Sequence, residues 1–265
     1  MKKIISVILV VLMLTMGMVS MTSCSKDKSD VEAVKEAEKL VVGVTVYKPM
    51  DYIDDETGEW TGFDAELAKM FAEHLGVKCQ LVIIDWNNKV AELDSRQIDL
   101  VWNGMTASDE LGQKIDFSVS YAKNAQVAVV KAGSALTKEG IAGAIVAVEN
   151  GSAGETVARE TIGATNLVEK SDGQVGALSE VLAGTADVAI IDITMAQSVV
   201  GVGDYAGLKV IEGASYGDEI FAVGLRKGSD LKGELDAFLK AKYADGTITA
   251  LAKKYNVGIN EDALK

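Results

Sequence analysis

Histidine, proline and cysteine are almost missing from this chain of 265 residues: His74, Pro49, Cys24 and Cys79 are its whole stock. A lone histidine has no second imidazole with which to build a metal site, so His74 reads as a surface or boundary residue. Positive charge is scarce as well. Against 39 acidic residues stand 26 lysines and arginines, a formal charge of −13, which is a poor surface for nucleic acid because displacing phosphate counterions needs clustered Lys and Arg. No Gly-Lys-Ser/Thr occurs, which excludes a phosphate-cradling nucleotide loop. No metal and no cofactor is expected. The 48% hydrophobic and 25% charged content is that of an ordinary globular protein.

Long apolar runs are also lacking, with one exception. Lys2 and Lys3 precede an uncharged stretch from Ile4 to Ser23, followed by Cys24 and the polar stretch Ser25 to Asp30. This is the layout of an export signal spanning 1–23. A plain cleaved signal and an uncleaved membrane-spanning helix stay open as alternatives, and each places the rest of the chain outside the cytoplasm. The segment Met21-Thr22-Ser23-Cys24 resembles a bacterial lipobox, which implies lipidation of Cys24 and anchoring to the cell membrane. Cys79 would then have no disulfide partner and reads as a buried inert thiol. Residues 24–38 read as a polar tether with room for one marginal helix.

From Leu40 onward the chain alternates strand and helix. Phe63, Leu67, Phe71 and Leu75 recur every four residues before Gly76, predicting a helix over 63–75. Strands at 78–84 and 98–103 with a helix around 87–95 complete a β-α-β-α-β pattern, which calls for a mostly parallel sheet under helices. The alternation restarts after Tyr121, with strands at 126–131, 144–149, 166–169 and 188–192 separated by helices near 154–162 and 173–183. Two further helices, 230–243 and 247–255, close the chain and are expected to return to the first lobe. Trp102 follows its strand into the core.

Several segments now carry a family resemblance: Gly58-Glu-Trp-Thr-Gly-Phe-Asp-Ala-Glu-Leu-Ala, Asp85-Trp86, Asp99-Leu-Val-Trp-Asn-Gly-Met-Thr106, Asp116-Phe-Ser118, Arg226-Lys-Gly-Ser-Asp-Leu and Ala244-Asp-Gly-Thr247. In order and spacing they resemble the polar amino-acid binding proteins of ABC transporters. The resemblance implies two doubly wound α/β lobes of periplasmic-binding-protein type II, joined by a two-strand hinge. Lobe one would comprise 39–121 plus 221–265, lobe two 126–216, and the hinge 121–125 and 217–220. It further implies a monomer that captures a small amino-acid-like molecule by hinge closure and delivers it to a membrane permease.

Tyr47 and Trp86 match aromatic positions of the family's ligand cleft, though either could be a core aromatic. Asn103, Gly104, Met105 and Thr106 end a strand where α/β sheets hold ligands. Asn150, Ser152 and Ala153 form a strand-to-helix turn whose amides could receive an anion, although Ser152 could be a plain N-cap. Asp192 matches the carboxylate that accepts the ligand's ammonium, with helix capping as its other reading. At Leu111 the sequence departs from the family, which there carries an arginine that grips the ligand's α-carboxylate; leucine has no donors. Three outcomes follow: the ligand lacks that carboxylate, amides and hydroxyls of Asn103, Thr106, Ser152 and the helix end hold it, or another cation reaches in. The loss beside Asp192 and Glu149 tilts the expectation toward a neutral or cationic ligand. A sensing protein for a membrane receptor and a dehydratase-like enzyme are the rival functions.

Overall fold

A computed structural model describes residues 28–265, so the export segment, Cys24 and the start of the tether lie outside the described residues. The tether ends sooner than its composition implies. Residues Asp30–Glu36 form helix α1, on which the Ser29 hydroxyl accepts from the Glu32 amide while the Glu32 carboxylate accepts from the Ser29 N–H. Val34 is buried, and the buried Asp30 carboxylate pairs with Arg96 and, at 3.0 Å, with Arg226. The helix allowed for within the stretch read as tether thus forms and is docked on the body from residue 30; a polar composition does not reveal that one acid will find two distant arginines.

Strand β1 (Lys39–Val44) then enters the first sheet, and the short hairpin β2 (Tyr52–Ile53) and β3 (Trp60–Thr61) leads into helix α2 (Phe63–Leu75). All four residues of its apolar stripe are buried, and Gly76, at φ +77°, ends it in the left-handed conformation. Strand β4 (Lys78–Ile83), a single 3₁₀ turn over Trp86–Asn88, helix α3 (Lys89–Asp94), strand β5 (Leu100–Val101), helix α4 (Asp109–Lys114) and strand β6 (Asp116–Phe117) follow. β1 pairs in parallel with both β4 and β5. Trp102 is fully buried against Phe71 and Tyr121.

Strand β7 (Ala122–Lys131) carries the chain into a second sheet with β8 (Ile145–Glu149), helix α5 (Ala153–Thr156) continued by a π turn to Ile162, β9 (Asn166–Lys170), α6 (Gln174–Ala183), β10 (Val188–Asp192) and α7 (Ile193–Val199). The order is β11-β7-β10-β8-β9, where β11 (Leu208–Phe221) is the long return strand. β12 (Gly224–Leu225) then slots antiparallel between β5 and β6, and helices α8 (Leu231–Ala244), α9 (Thr247–Tyr255) and α10 (Glu261–Leu264) finish the chain. Phe238 of α8 packs on Phe71 of α2, ring centres 5.2 Å apart, which returns the tail to the first sheet.

Each sheet therefore joins a parallel β-α-β part to an antiparallel part: in the first, β12 returns from the second crossing to lie between β5 and β6, and in the second, β7 and β11 form one side of the sheet. The two crossings pair with each other, Asn124 opposite Glu219 and Ala122 opposite Phe221, with register shifts on the β11 side. The Lys123 amide donates to Gly258 at 2.8 Å, so the C-terminal segment braces the ribbon from the first lobe. Cys79 is half-buried, and burial pushes its thiol up to about 11, which keeps it protonated and unreactive at neutral pH. Among the described residues no helix is long and apolar enough to cross a membrane.

Candidate functional site

Where the strands of both sheets end in the gap between the lobes, they enclose a cleft of about 550 Å³. Tyr47, Trp86, Asn103, Gly104, Met105, Thr106, Leu111, Ser152, Ala153 and Asp192 all line it. Asn150 does not. Its amide N–H donates to Lys170 at 2.8 Å, prolonging the β8–β9 ladder before the chain turns at Gly151, so the expectation for Asn150 is corrected.

Asp192, at the end of β10, is 4% exposed, and its carboxylate accepts from the amides of Gln126 (2.6 Å), Asn124 and Gln174, while its own N–H donates to Gln174 Oε1 at 2.9 Å. It makes no side-chain capping bond to α7. Burial, and after it the charge of Glu219, pushes its pKa up to about 6, because ionising a desolvated acid beside another acid is costly. Tyr47 is buried beside it, and its hydroxyl lacks a partner in hydrogen-bonding geometry. Desolvation and then the Asp192 charge raise the Tyr47 pKa well above its usual value, so it remains a neutral phenol.

The polar groups expected to hold an anion are already engaged. Asn103 accepts from the Thr45 amide (3.0 Å) and hydroxyl (2.7 Å) and donates to Thr45 O and to Asp51, which satisfies its amide inside lobe one. Thr106 gives its hydroxyl proton to Glu219 at 2.9 Å. The Ser152 hydroxyl caps α5 through the Glu155 amide, and the Gly151 N–H donates to Glu155 Oε2 at 2.7 Å, so the protein's own carboxylate occupies that helix end. The Gly104 N–H is taken by Asp64 at 2.6 Å, and at φ +54° an added Cβ would lie 2.7 Å from the Tyr47 ring. Glycine there makes room for the Tyr47 and Phe221 rings at the cleft wall. Met105 and the half-buried Leu111 are apolar wall, packed with Ile84, Trp86 and Ile115.

Sequence reasoning missed Lys89, which reads as one more polar residue of a short helix. It is 4% exposed, and its ammonium donates to Trp86 O at 3.0 Å and, across the cleft, to Gly151 O at 2.8 Å, resting 4.9 Å from the centre of the Trp86 ring. Burial lowers its pKa to about 8, with Glu149 pulling the other way. Glu149, at the end of β8, is itself buried with Oε1 unpartnered, and desolvation followed by the Asp192 charge pushes it up to about 8. Glu219 on β11 was missed as well; it accepts from Thr106, Asn124 and Gln126, tying both lobes to the crossing strand. The lobes touch where Gly151, at φ +70°, leaves room for Asn87: a Cβ would lie 2.8 Å from Asn87 Oδ1.

Comparison with known proteins places this geometry among binding proteins. The profile of the bacterial extracellular solute-binding proteins, family 3, matches residues 40–258. The L-cystine-binding protein TcyJ of Escherichia coli is 32% identical over 235 residues, 86% of each chain. The arginine-binding extracellular protein ArtP of Bacillus subtilis is 30% identical over 242 residues, 90% of this chain and 93% of its own. Among solved structures, a mutant of ArgBP from T. maritima superposes with a TM-score of 0.79 at 27% identity, over 86% of this chain and 99% of that one.

Proposed function

The chain belongs to the bacterial extracellular solute-binding proteins, family 3, and from that premise we propose that it captures a polar amino acid in the interlobe cleft and passes it to the permease of an ABC importer. Lobe one (39–121 with 221–265) and lobe two (126–216) rotate about the crossings at 121–125 and 217–220 to trap the ligand. The protein works as a monomer outside the cytoplasm, held at the membrane by lipid on Cys24. It binds and releases its ligand without transforming it.

One observation carries this reading. Asp192 is a buried carboxylate oriented by three side-chain amides and used in no helix cap. All three partners are neutral, so the negative charge is uncompensated, and a ligand ammonium supplies the missing cation in a site of low dielectric. Tyr47 and Trp86 add two aromatic surfaces for the rest of the molecule. The names of the cystine-binding and arginine-binding relatives, both of amino-acid ligands, support the same class. Thermal-shift screening of the purified protein against amino acids, amines and small peptides tests the reading: a ligand at 100 times its Kd adds about 2.7 kcal/mol of stability. A panel of amino acids that leaves the melting temperature unmoved overturns it.

A further inference from the structure

We propose that Lys89 grips the carboxylate of the bound amino acid in the role that a guanidinium at position 111 would otherwise fill, an assignment that rests on the amino-acid reading above. Three cations line the cleft: Lys89, Lys114 and Arg159. Lys114 is half exposed and already pairs with Glu110 at 2.8 Å. Arg159, also half exposed, pairs with Glu155 at 2.7 Å and with Glu169. Solvated ions with partners of their own contribute little to holding an anion. Lys89 differs on both counts.

Its ammonium is buried, and no carboxylate among the described residues lies within ion-pair distance of it. Both of its hydrogen bonds go to uncharged carbonyls. An ammonium carries three donors, so one remains open. A desolvated charge with no counter-ion in contact is costly, and a ligand carboxylate is the group that relieves it. Glu149 stands near enough to favour the charged form of Lys89 without forming the contact itself.

Position agrees with charge. Lys89 lies three residues after Trp86, against its ring, and reaches Gly151 in the turn that ends β8. A carboxylate held there sits at the seam of the lobes, where gripping it also favours closure. Asp192 supplies the opposite pole for the ammonium, so the cleft offers a zwitterion both signs of charge. Leu111 is left as wall, packed into the apolar cluster of Ile84, Met105 and Ile115.

The test is isothermal titration calorimetry on the full chain in detergent. The wild type is titrated first with L-arginine, L-cystine and the remaining common amino acids, and the tightest of these is paired with its methyl ester, which keeps the ammonium and loses the carboxylate charge. Lys89→Met is expected to weaken the free amino acid roughly 10- to 100-fold, the worth of a charge-assisted hydrogen bond, while leaving the ester's affinity within about twofold. Lys89→Arg should restore most of the loss. An equal loss for acid and ester assigns Lys89 to cleft structure alone and overturns the proposal, as does undiminished affinity for the acid. If the wild type binds no amino acid, the reading of the cleft fails first, a result distinct from either outcome with Lys89→Met.

Discussion

At the scale of single residues the cleft is a set of buried acids at different stages of ionisation. Asp192, held by three amides, is the easiest to ionise of the pair it forms with Glu149. Asp192→Asn should keep the fold, since an amide is close in shape, yet weaken the amino-acid ligand by about 100-fold, measured by calorimetry. Glu149 has a stability consequence of fixed sign. Its carboxyl, pushed up to about 8 from the ordinary 4.5, holds in the folded state a proton that the unfolded chain has released. Between those two values the folded state binds more protons, so stability falls as pH rises through the window. Glu149→Gln copies the neutral form. Its melting temperature should match the wild type near pH 4 and exceed it increasingly toward pH 8, by about 2–4 °C for each kcal/mol relieved. A pH-independent difference would contradict this assignment. Asp64, raised to about 7 by burial beneath Gly104, steepens the wild type's own decline.

At the scale of elements, helix α1 is a short piece docked through a few identifiable contacts. Seven residues are too few to be helical alone. What holds α1 is Val34 in the core with Val31 packed against it, the Val31 N–H donating to Asp230 at 3.1 Å, and Asp30 between Arg96 and Arg226, the latter also donating to Leu93 and Ile98 carbonyls. Asp30→Ala leaves the buried Arg226 without its anion, which costs on the order of 3–5 kcal/mol. The expected local result is faster amide exchange over residues 30–38 with protection of β1 preserved. Exchange unchanged over α1 would mean that the apolar packing and the Val31–Asp230 hydrogen bond dock it without the ion pairs. Helix α2 is the contrast: its four stripe residues are all buried, with Phe63 against Tyr121 and Phe71 against Trp102 and Phe238, so spacing and packing agree.

At the scale of the whole molecule, closure depends on how nearly the two lobes can approach. Gly151 and Asn87 meet with no room for a side chain between them, and Gly163 offers a control in the same lobe. Both glycines have left-handed φ, +70° and +75°, but nothing lies within 4 Å of a Cβ placed on Gly163. Alanine at either site carries about the same backbone cost, roughly 1–2 kcal/mol. Only Gly151→Ala obstructs the other lobe, so it should lower ligand affinity by about 5- to 30-fold and blunt the compaction seen by small-angle scattering on ligand addition. Gly163→Ala should lose melting temperature and keep affinity. Equal affinity loss in both variants would remove lobe contact at Gly151 as the cause.

The amino-acid sequence by itself determined what depends on neighbours along the chain. Four apolar residues at intervals of four and a following glycine specify α2 from Phe63 to Leu75, and the strand-helix alternation with its ordered motifs specifies the family and the place of Asp192 at a strand end. Such periodicity is local and survives in a string of letters. The tertiary structure alone decided which polar groups are still open. Asn103 is satisfied by Thr45 and Asp51, Thr106 by Glu219, and the turn at Gly151 by Glu155. Lys89 went the other way, from an unremarked helix residue to a buried ammonium in contact with the opposite lobe. Whether a donor is spent or free depends on partners brought from distant parts of the chain, and burial, which sets its charge, exists only once the lobes have met.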